Sequence, residues 1–129
     1  MNKIAVITAM LGFLAVLLGA FGAHGLQDVL SVDDLDIWQT ANQYHFYHVL
    51  ALLVVIILWQ RAPQNRLWFW TGLCFIFGIA IFSGSLYLLA VTGLRWLGAI
   101  TPVGGTLFLV AWLLLAYGCL RLKPDESMR

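Results

Sequence analysis

Charged residues are scarce in this sequence. Of its 129 residues only 10% are Asp, Glu, Lys or Arg, whereas 62% are hydrophobic; soluble domains have about a quarter and about half, respectively. A water-soluble domain of this length could not bury so much apolar surface, because small folds leave a large share of their surface exposed. The composition therefore indicates that lipid is the solvent for most of the chain.

An excess of charge of one sign is also missing, since the formal net charge is +1. No strong field attracts nucleic acid or a highly charged protein, and we expect no nucleic-acid partner. Only two cysteines occur, Cys74 and Cys119, and their spacing matches neither CxxC nor a zinc ribbon. We interpret them as small apolar packing residues rather than as a disulfide.

Motifs that carry catalysis or hold a cofactor are absent as well. The sequence contains no HExxH pattern, no P-loop and no GxGxxG, which are the short motifs that indicate zinc hydrolysis, phosphate binding and dinucleotide binding. Nothing in the sequence places a Ser, a His and an Asp together as a catalytic triad requires. We therefore predict a protein that is not an enzyme and that has no resident cofactor or metal ion.

Long apolar runs dominate what is present. Four segments are long enough to cross a hydrocarbon core, which takes about 20 mostly apolar residues; they are residues 4–23, 41–59, 67–91 and 96–120. The first is expected to be retained rather than cleaved as a signal, because its apolar stretch exceeds a usual signal core. Short connections make consecutive spans antiparallel neighbours. We predict an all-α integral membrane four-helix bundle, up-down-up-down, that forms one transmembrane domain over 1–129.

The longest connection, residues 24–40, is predicted to be partly helical. Ser31 followed three residues later by Asp34 resembles a capping box, and aspartates favour the positive end of a helix dipole. We expect a helix from about Val32 that continues into the second span, with Leu35 and Trp38 facing inward.

Basic residues set the expected orientation, because cytoplasmic flanks of membrane spans carry the excess of Lys and Arg. Of the seven Lys and Arg residues, six flank the spans on one side of the membrane and only Arg95 flanks them on the other. Residues 26–40 of the longest connection carry four aspartates and no basic residue. We therefore predict that both termini are cytoplasmic. The basic residues on that side are Lys3, Arg61, Arg66, Arg121, Lys123 and Arg129.

Small residues mark expected helix contacts, because helices in lipid associate by close backbone approach. A pore or a substrate path is the alternative interpretation of the glycines. The predicted packing residues are Gly12, Ala15, Gly19 and Ala23 in the first span, Gly84 in the third, and Gly104 and Gly105 in the fourth.

Polar side chains gather at one predicted depth, in the outer half of the bundle. Tyr44, His45 and His48 have helical spacings of three and four, so they share one surface of the second span. Histidines within membrane spans are costly and are often functional. Three interpretations are open: structural hydrogen bonding, a pocket for a lipid headgroup or a small ligand, and metal or haem ligation. The candidate ligand-binding residues are His24, Tyr44, His48, Ser85 and Thr101.

Four ordered motifs carry a family resemblance: GAFGAHGL at 19–26, YHFYH at 44–48, SGSLY at 83–87 and TPVGG at 101–105. In this order and spacing they resemble the YgdD-type family of small bacterial inner-membrane proteins of unknown function, which has eukaryotic relatives among small transmembrane proteins. The resemblance implies a four-helix protein of the bacterial inner membrane with no established activity. It places His24, Tyr44 and His48 on motif positions, whereas His45 departs from the bacterial pattern, which has Gln there.

The leading functional hypothesis is a non-enzymatic, multi-pass protein of the bacterial inner membrane with an outer-leaflet polar pocket. That pocket would bind a lipid or small ligand, or support assembly with other membrane proteins or with itself. The alternatives are a transporter or channel component and a haem-binding electron-transfer subunit that uses His24 and His48 on adjacent helices.

Overall fold

Four long helices make up the described chain. The computed structural model describes residues 1–122, and within that range it contains helices and no strand: α1 (Asn2–His24), α2 (Val32–Arg61), α3 (Arg66–Thr92) and α4 (Leu97–Arg121). Each helix is long and apolar enough to cross a membrane. The predicted all-α, four-span fold class is confirmed. Lys123 and Arg129, used above to predict the orientation, lie outside the described residues.

The start of α2 is fixed by a side-chain cap. The Ser31 hydroxyl accepts a hydrogen bond from the backbone N–H of Asp34 at 3.1 Å and donates to its carboxylate at 2.6 Å. These bonds satisfy groups that the first helical turn would otherwise leave unpaired. With 30 residues α2 is about 45 Å long at 1.5 Å per residue, so its aspartate-rich first turns extend beyond the hydrocarbon core.

The third helix contains one turn of wider winding. α3 is α-helical over Arg66–Gly78, has π-helical winding over Ile79–Ser83, and is α-helical again over Gly84–Thr92. It ends at Gly93, whose φ of 68° lies in the left-handed region that favours glycine. A π turn within an α-helix often occurs at a functional site, and its position near the middle of α3 bears on the site described below.

Sequential helices pack antiparallel, with α2 and α3 at the centre. α1 packs on α2, α2 packs on α3, and α3 packs on α4. The main core cluster includes Leu52, Val55, Trp68, Phe75 and Ala111. We call the end of the bundle that holds the 25–31 and 93–96 connections the loop end, and the opposite end, which holds the start of α1 and the 62–65 connection, the terminal end.

Side chains of α2 bond to the backbone of α1. The Trp38 indole N–H donates to the Leu18 carbonyl at 3.0 Å, and the Asn42 amide donates to the Ala15 carbonyl at 2.8 Å. Gly19 and Gly22 make this approach possible. A Cβ on Gly19 would come within 2.8 Å of the Asn42 Oδ1, and one on Gly22 would overlap the Trp38 indole.

The predicted small residues divide into two groups. Gly12, Ala15 and Gly19 face α2, since Ala15 is buried and a Cβ on Gly12 would meet Val49 at 3.5 Å. Ala23 is exposed and lies outside the α1–α2 contact. At this level of α1 it is Gly22 that faces α2, against Trp38.

On α4 the closest approach is at Gly104, where a Cβ would come within 2.8 Å of the Phe82 Cα on α3. Gly105 lies at ordinary contact distance from the Phe82 ring, 3.7 Å. A Cβ on Gly84, in contrast, would have no neighbouring atom within 4 Å, so Gly84 makes no close helix contact. Besides Gly22, two more glycines outside the predicted set lie against large rings: Gly78 against Phe108, and Gly118 against Trp68.

Candidate functional site

His48 uses both of its ring nitrogens, one within α2 and the other to join α2 to α4. Its Nδ1 lies 2.6 Å from the Tyr44 carbonyl, and its Nε2 lies 3.2 Å from the Trp112 indole nitrogen. An indole N–H only donates, so Nε2 must accept and Nδ1 must carry the proton that is donated to the carbonyl. The ring is thereby held as one neutral tautomer.

Aromatic rings surround His48 on three helices. Its ring stacks on Phe108 of α4 with centroids 3.5 Å apart and planes 3° from parallel, and Phe75 of α3 lies 5.7 Å away. α2 and α4 therefore contact each other through side chains at this level. We call the stacked pair of His48 and Phe108 the aromatic floor, because it forms the base of the groove described below.

Tyr44 lies one turn from His48, toward the loop end. Its ring stacks on Phe82 with centroids 4.7 Å apart, and 40% of the side chain is exposed. Phe82 belongs to the π-helical turn and also contacts Phe108 at 5.5 Å. The π turn thus positions one ring between Tyr44 and the aromatic floor.

These residues line a groove between α2 and α4, which we call the α2–α4 groove. Its volume is about 460 Å³, and its mouth faces outward because Leu109 is 68% exposed. Apolar and aromatic side chains make up most of the lining. The lining residues are Tyr44, His48, Pro102, Gly105, Thr106, Phe108, Leu109 and Trp112.

The groove lies deep in the bundle. His48 is seven residues inside the predicted second span, which begins at residue 41, or about 10 Å along the helix. A hydrocarbon core is about 30 Å thick, so the predicted span places His48 about a third of the way into the core.

Ser85 and Thr101 form a separate pair between α3 and α4. Their hydroxyl oxygens are 2.7 Å apart, and each also lies near a carbonyl of its own helix, Ser85 at 3.0 Å from Phe82 O and Thr101 at 3.3 Å from Leu97 O. Because each hydroxyl has one hydrogen, one of the two donates to the other hydroxyl and the second donates to its carbonyl. Neither residue lines the groove. Their hydroxyls are engaged in holding these two helices together.

His24 does not approach His48. It is exposed at the end of α1, nine residues beyond Ala15, which bonds Asn42. Asn42 in turn lies six residues from His48 in the opposite direction, so the two histidines are separated by about 22 Å along the bundle axis. One haem or metal ion could not be ligated by both. Within residues 1–122 no cluster of three or more His, Cys, Asp and Glu side chains could hold a metal ion.

A family pattern described as "Protein of unknown function (DUF423)" matches residues 18–105, which is more than half of the chain. The chain belongs to the DUF423 family. The match begins in α1 and ends in α4 at Gly105, so it includes Tyr44 and His48 but ends before Phe108 and Trp112.

Three bacterial membrane proteins illustrate how similar the relatives of this DUF423 chain are in sequence. The UPF0382 membrane protein SSP2132 of Staphylococcus saprophyticus is 44% identical over 95% of this chain and 100% of its own length. The UPF0382 membrane protein YwdK of Bacillus subtilis is 40% identical over 94% of this chain and 98% of its own. The UPF0382 inner membrane protein YgdD of Escherichia coli is 40% identical over 92% of this chain and 89% of its own. No solved structure is significantly similar.

These relatives and the four spans define the protein class. This DUF423 chain is a multi-pass protein of the bacterial inner membrane, from a family of unknown function. The resemblance inferred from the four motifs is confirmed.

A second polar cluster in this DUF423 chain was not predicted as a site. The Asn42 amide donates to the Tyr87 hydroxyl at 3.0 Å, and the His45 Nδ1 lies 3.3 Å from the same hydroxyl. His45 is only 3% exposed and its Nε2 has no hydrogen-bond partner in the described chain; the buried Ser83 hydroxyl has none either. Helical periodicity could have placed Asn42 and His45 on one face of α2, since they are three residues apart.

Proposed function

We propose that this DUF423 protein is a non-enzymatic membrane protein that binds a membrane lipid in the α2–α4 groove. The observation that carries the proposal is the groove itself, about 460 Å³ between two helices whose side chains His48 and Phe108 stack at its floor. Volumes of this size are typical of small-molecule sites.

The depth and lining of the groove favour an acyl chain as its occupant. At this level the bundle is surrounded by hydrocarbon, and the mouth at Leu109 faces outward. The floor residue His48 uses both ring nitrogens within the protein, so it adds little polar surface. An acyl chain can fill such a space without leaving a polar group unpaired, and unpaired polar groups are costly in lipid.

One polar group is positioned to orient the lipid. Helical side chains lean toward the N-terminus of their helix, so the Tyr44 phenol extends toward the loop end, and its ring is partly exposed. The phenol can donate a hydrogen bond to an ester carbonyl of a lipid. The lipid would then belong to the leaflet at the loop end, with its chain running down the groove toward Trp112.

Native mass spectrometry of the detergent-purified protein tests this proposal. We expect wild type to retain lipid and Leu109→Trp, which fills the groove mouth, to lose it. Leu113→Trp is the matched control, because Leu113 is also on α4 and is 71% exposed but does not line the groove. Tyr44→Phe should weaken binding about fivefold, the equivalent of one hydrogen bond of about 1 kcal/mol. Equal lipid occupancy in Leu109→Trp, Leu113→Trp and wild type would refute the proposal.

A further inference from the structure

A second cavity lies at the terminal end of the bundle, where α1 begins, α2 ends and α3 begins. It has a volume of about 510 Å³ and shares no residue with the α2–α4 groove. We call it the terminal cavity. Its lining residues are Met1, Asn2, Lys3, Ile4, Trp59 and Phe69.

Aromatic residues place the terminal cavity at the level of the lipid headgroups. Trp59 and Phe69 pack edge to face with ring centroids 6.1 Å apart, and the Trp59 indole donates to the Pro63 carbonyl in the 62–65 connection at 3.2 Å. Tryptophan at the end of a membrane helix prefers the headgroup region, where its ring is in an apolar setting and its N–H meets a polar partner. The cavity is therefore within reach of both phosphate groups and acyl chains.

Charge is distributed unequally between the two ends of the bundle. Four basic residues of the described chain lie at the terminal end, and only Arg95 lies at the loop end. All the described acidic residues lie at the loop end, so at the terminal end the Lys3 ammonium has no carboxylate of the described chain beside it. The terminal basic residues are Lys3, Arg61, Arg66 and Arg121; the acidic ones are Asp28, Asp33, Asp34 and Asp36.

Lys3 combines this charge with apolar walls. Its side chain is exposed and lines the same cavity as Ile4 and Phe69. A lysine stem lies along apolar surface while its ammonium group reaches polar surroundings. The terminal cavity thus offers one cation for a phosphate and an apolar wall for the start of an acyl chain.

We infer that the terminal cavity binds an anionic phospholipid, with the Lys3 ammonium on the phosphate and the first acyl segment against Phe69. Basic pockets between membrane helices recognise anionic headgroups by this combination of charge and apolar surface. This inference is independent of the lipid proposed for the α2–α4 groove, which has no charged residue in its lining.

Lipid titrations of the full-length protein, followed by native mass spectrometry, test the inference. Dioleoylphosphatidylglycerol and dioleoylphosphatidylcholine have the same acyl chains and differ in headgroup charge. We expect tighter binding of phosphatidylglycerol to wild type. Lys3→Gln should weaken that binding about fivefold, since one basic residue near a membrane surface contributes about 1 kcal/mol toward anionic lipid.

Three further variants distinguish binding in the terminal cavity from a general effect of charge and from binding in the groove. Arg95→Gln removes the same charge at the loop end and should leave phosphatidylglycerol binding unchanged. Asn2→Trp keeps Lys3 but fills the cavity, and it should reduce binding at least as much as Lys3→Gln. Leu109→Trp should leave the preference for phosphatidylglycerol over phosphatidylcholine unchanged, because the groove lining has no charged residue; this result distinguishes the terminal cavity from the groove.

Three results would each overturn the inference: equal affinity of wild type for the two lipids, an equal loss in Lys3→Gln and Arg95→Gln, or unchanged binding in Asn2→Trp. Inorganic phosphate is the remaining control. If phosphate alone displaces phosphatidylglycerol at comparable concentrations, the site recognises a free anion and not a lipid.

Discussion

The indole N–H of Trp112 and the imidazole of His48 depend on each other. A tryptophan in a membrane helix is ordinarily explained by packing against lipid or a neighbouring helix, and the sequence alone supports only that explanation for Trp112. Its partner is 64 residues away in the chain, and no local periodicity connects two such positions. The sequence did indicate His48 and Tyr44, because histidine and tyrosine within a span are unusual enough to suggest a role.

Replacing Trp112 by Phe should destabilise the folded protein. The change keeps an aromatic ring but removes the N–H, which leaves the His48 Nε2 without its donor. We expect a loss of about 1 kcal/mol in the free energy of unfolding, since hydrogen bonds between membrane helices contribute about 0.6 to 1.7 kcal/mol. The measurement is reversible unfolding in mixed detergent micelles.

Trp96→Phe is the control for that experiment, because Trp96 is exposed at the start of α4 and makes no side-chain hydrogen bond in the described chain. A loss in Trp96→Phe as large as that in Trp112→Phe would show that the bond to His48 contributes nothing specific.

At the scale of helices, composition and periodicity predicted most of what the structure shows. The apolar runs gave the four spans, and Ser31 with Asp34 indicated where α2 begins. The π-helical turn at 79–83 was not predicted, because it depends on how Phe82 fits between Gly104 and Tyr44 and not on the propensity of its own residues. Small residues showed that close contacts exist, but not which glycine faces a neighbour.

Gly104→Ala and Gly84→Ala separate these two kinds of glycine. At Gly104 the added methyl group would overlap the Phe82 backbone, whereas at Gly84 it would meet nothing. We expect Gly104→Ala to lower the free energy of unfolding by about 1 to 3 kcal/mol, as overpacked sites do, and Gly84→Ala to be neutral or slightly stabilising. Thermal melts in detergent, with lipid retention measured on the same samples, would record both effects.

If Gly104→Ala retained both wild-type stability and wild-type lipid occupancy, the close approach of α3 and α4 at Phe82 would not define the groove wall. If Gly84→Ala were the more damaging of the two, the assignment of the packing face of α3 would be wrong.

In the whole molecule, acidic residues and most basic residues of the described chain lie at opposite ends of the bundle, which is a charge asymmetry along the bundle axis. Acidic residues cluster at the loop end and most described basic residues at the terminal end. The positive-inside rule then predicts that the terminal end, and with it both termini, faces the cytoplasm. The arrangement of the four helices is compatible with either orientation, so the charges alone carry this prediction.

Cysteine labelling of intact cells tests the orientation. In a background that carries Cys74→Ala and Cys119→Ala, Gln27→Cys lies in the loop-end connection and Gln64→Cys in the terminal-end connection. A membrane-impermeant maleimide should label position 27 in intact cells and position 64 only after permeabilisation. The opposite pattern would place the loop end, and the proposed lipid of the groove, in the cytoplasmic leaflet.

Sequence predicted the polar residues of the candidate site better than it predicted their grouping. Expected at one depth, they separate in the structure into His48 with Tyr44 at the groove, Ser85 with Thr101 between α3 and α4, and His24 at the end of α1. Depth can be counted along a helix, but the rotation of each helix depends on long-range packing, which a single sequence does not specify.

The central claim, that the α2–α4 groove holds a membrane lipid, is tested most directly by photo-crosslinking in bilayers. A phospholipid with a diazirine in its acyl chain is reconstituted with the protein, irradiated, and its attachment sites are mapped by mass spectrometry. We predict attachment concentrated at Leu109 and Thr106, abolished there by Leu109→Trp and unchanged by Leu113→Trp. Labelling spread evenly over the exposed residues of α4, or equally insensitive to both substitutions, would contradict the account.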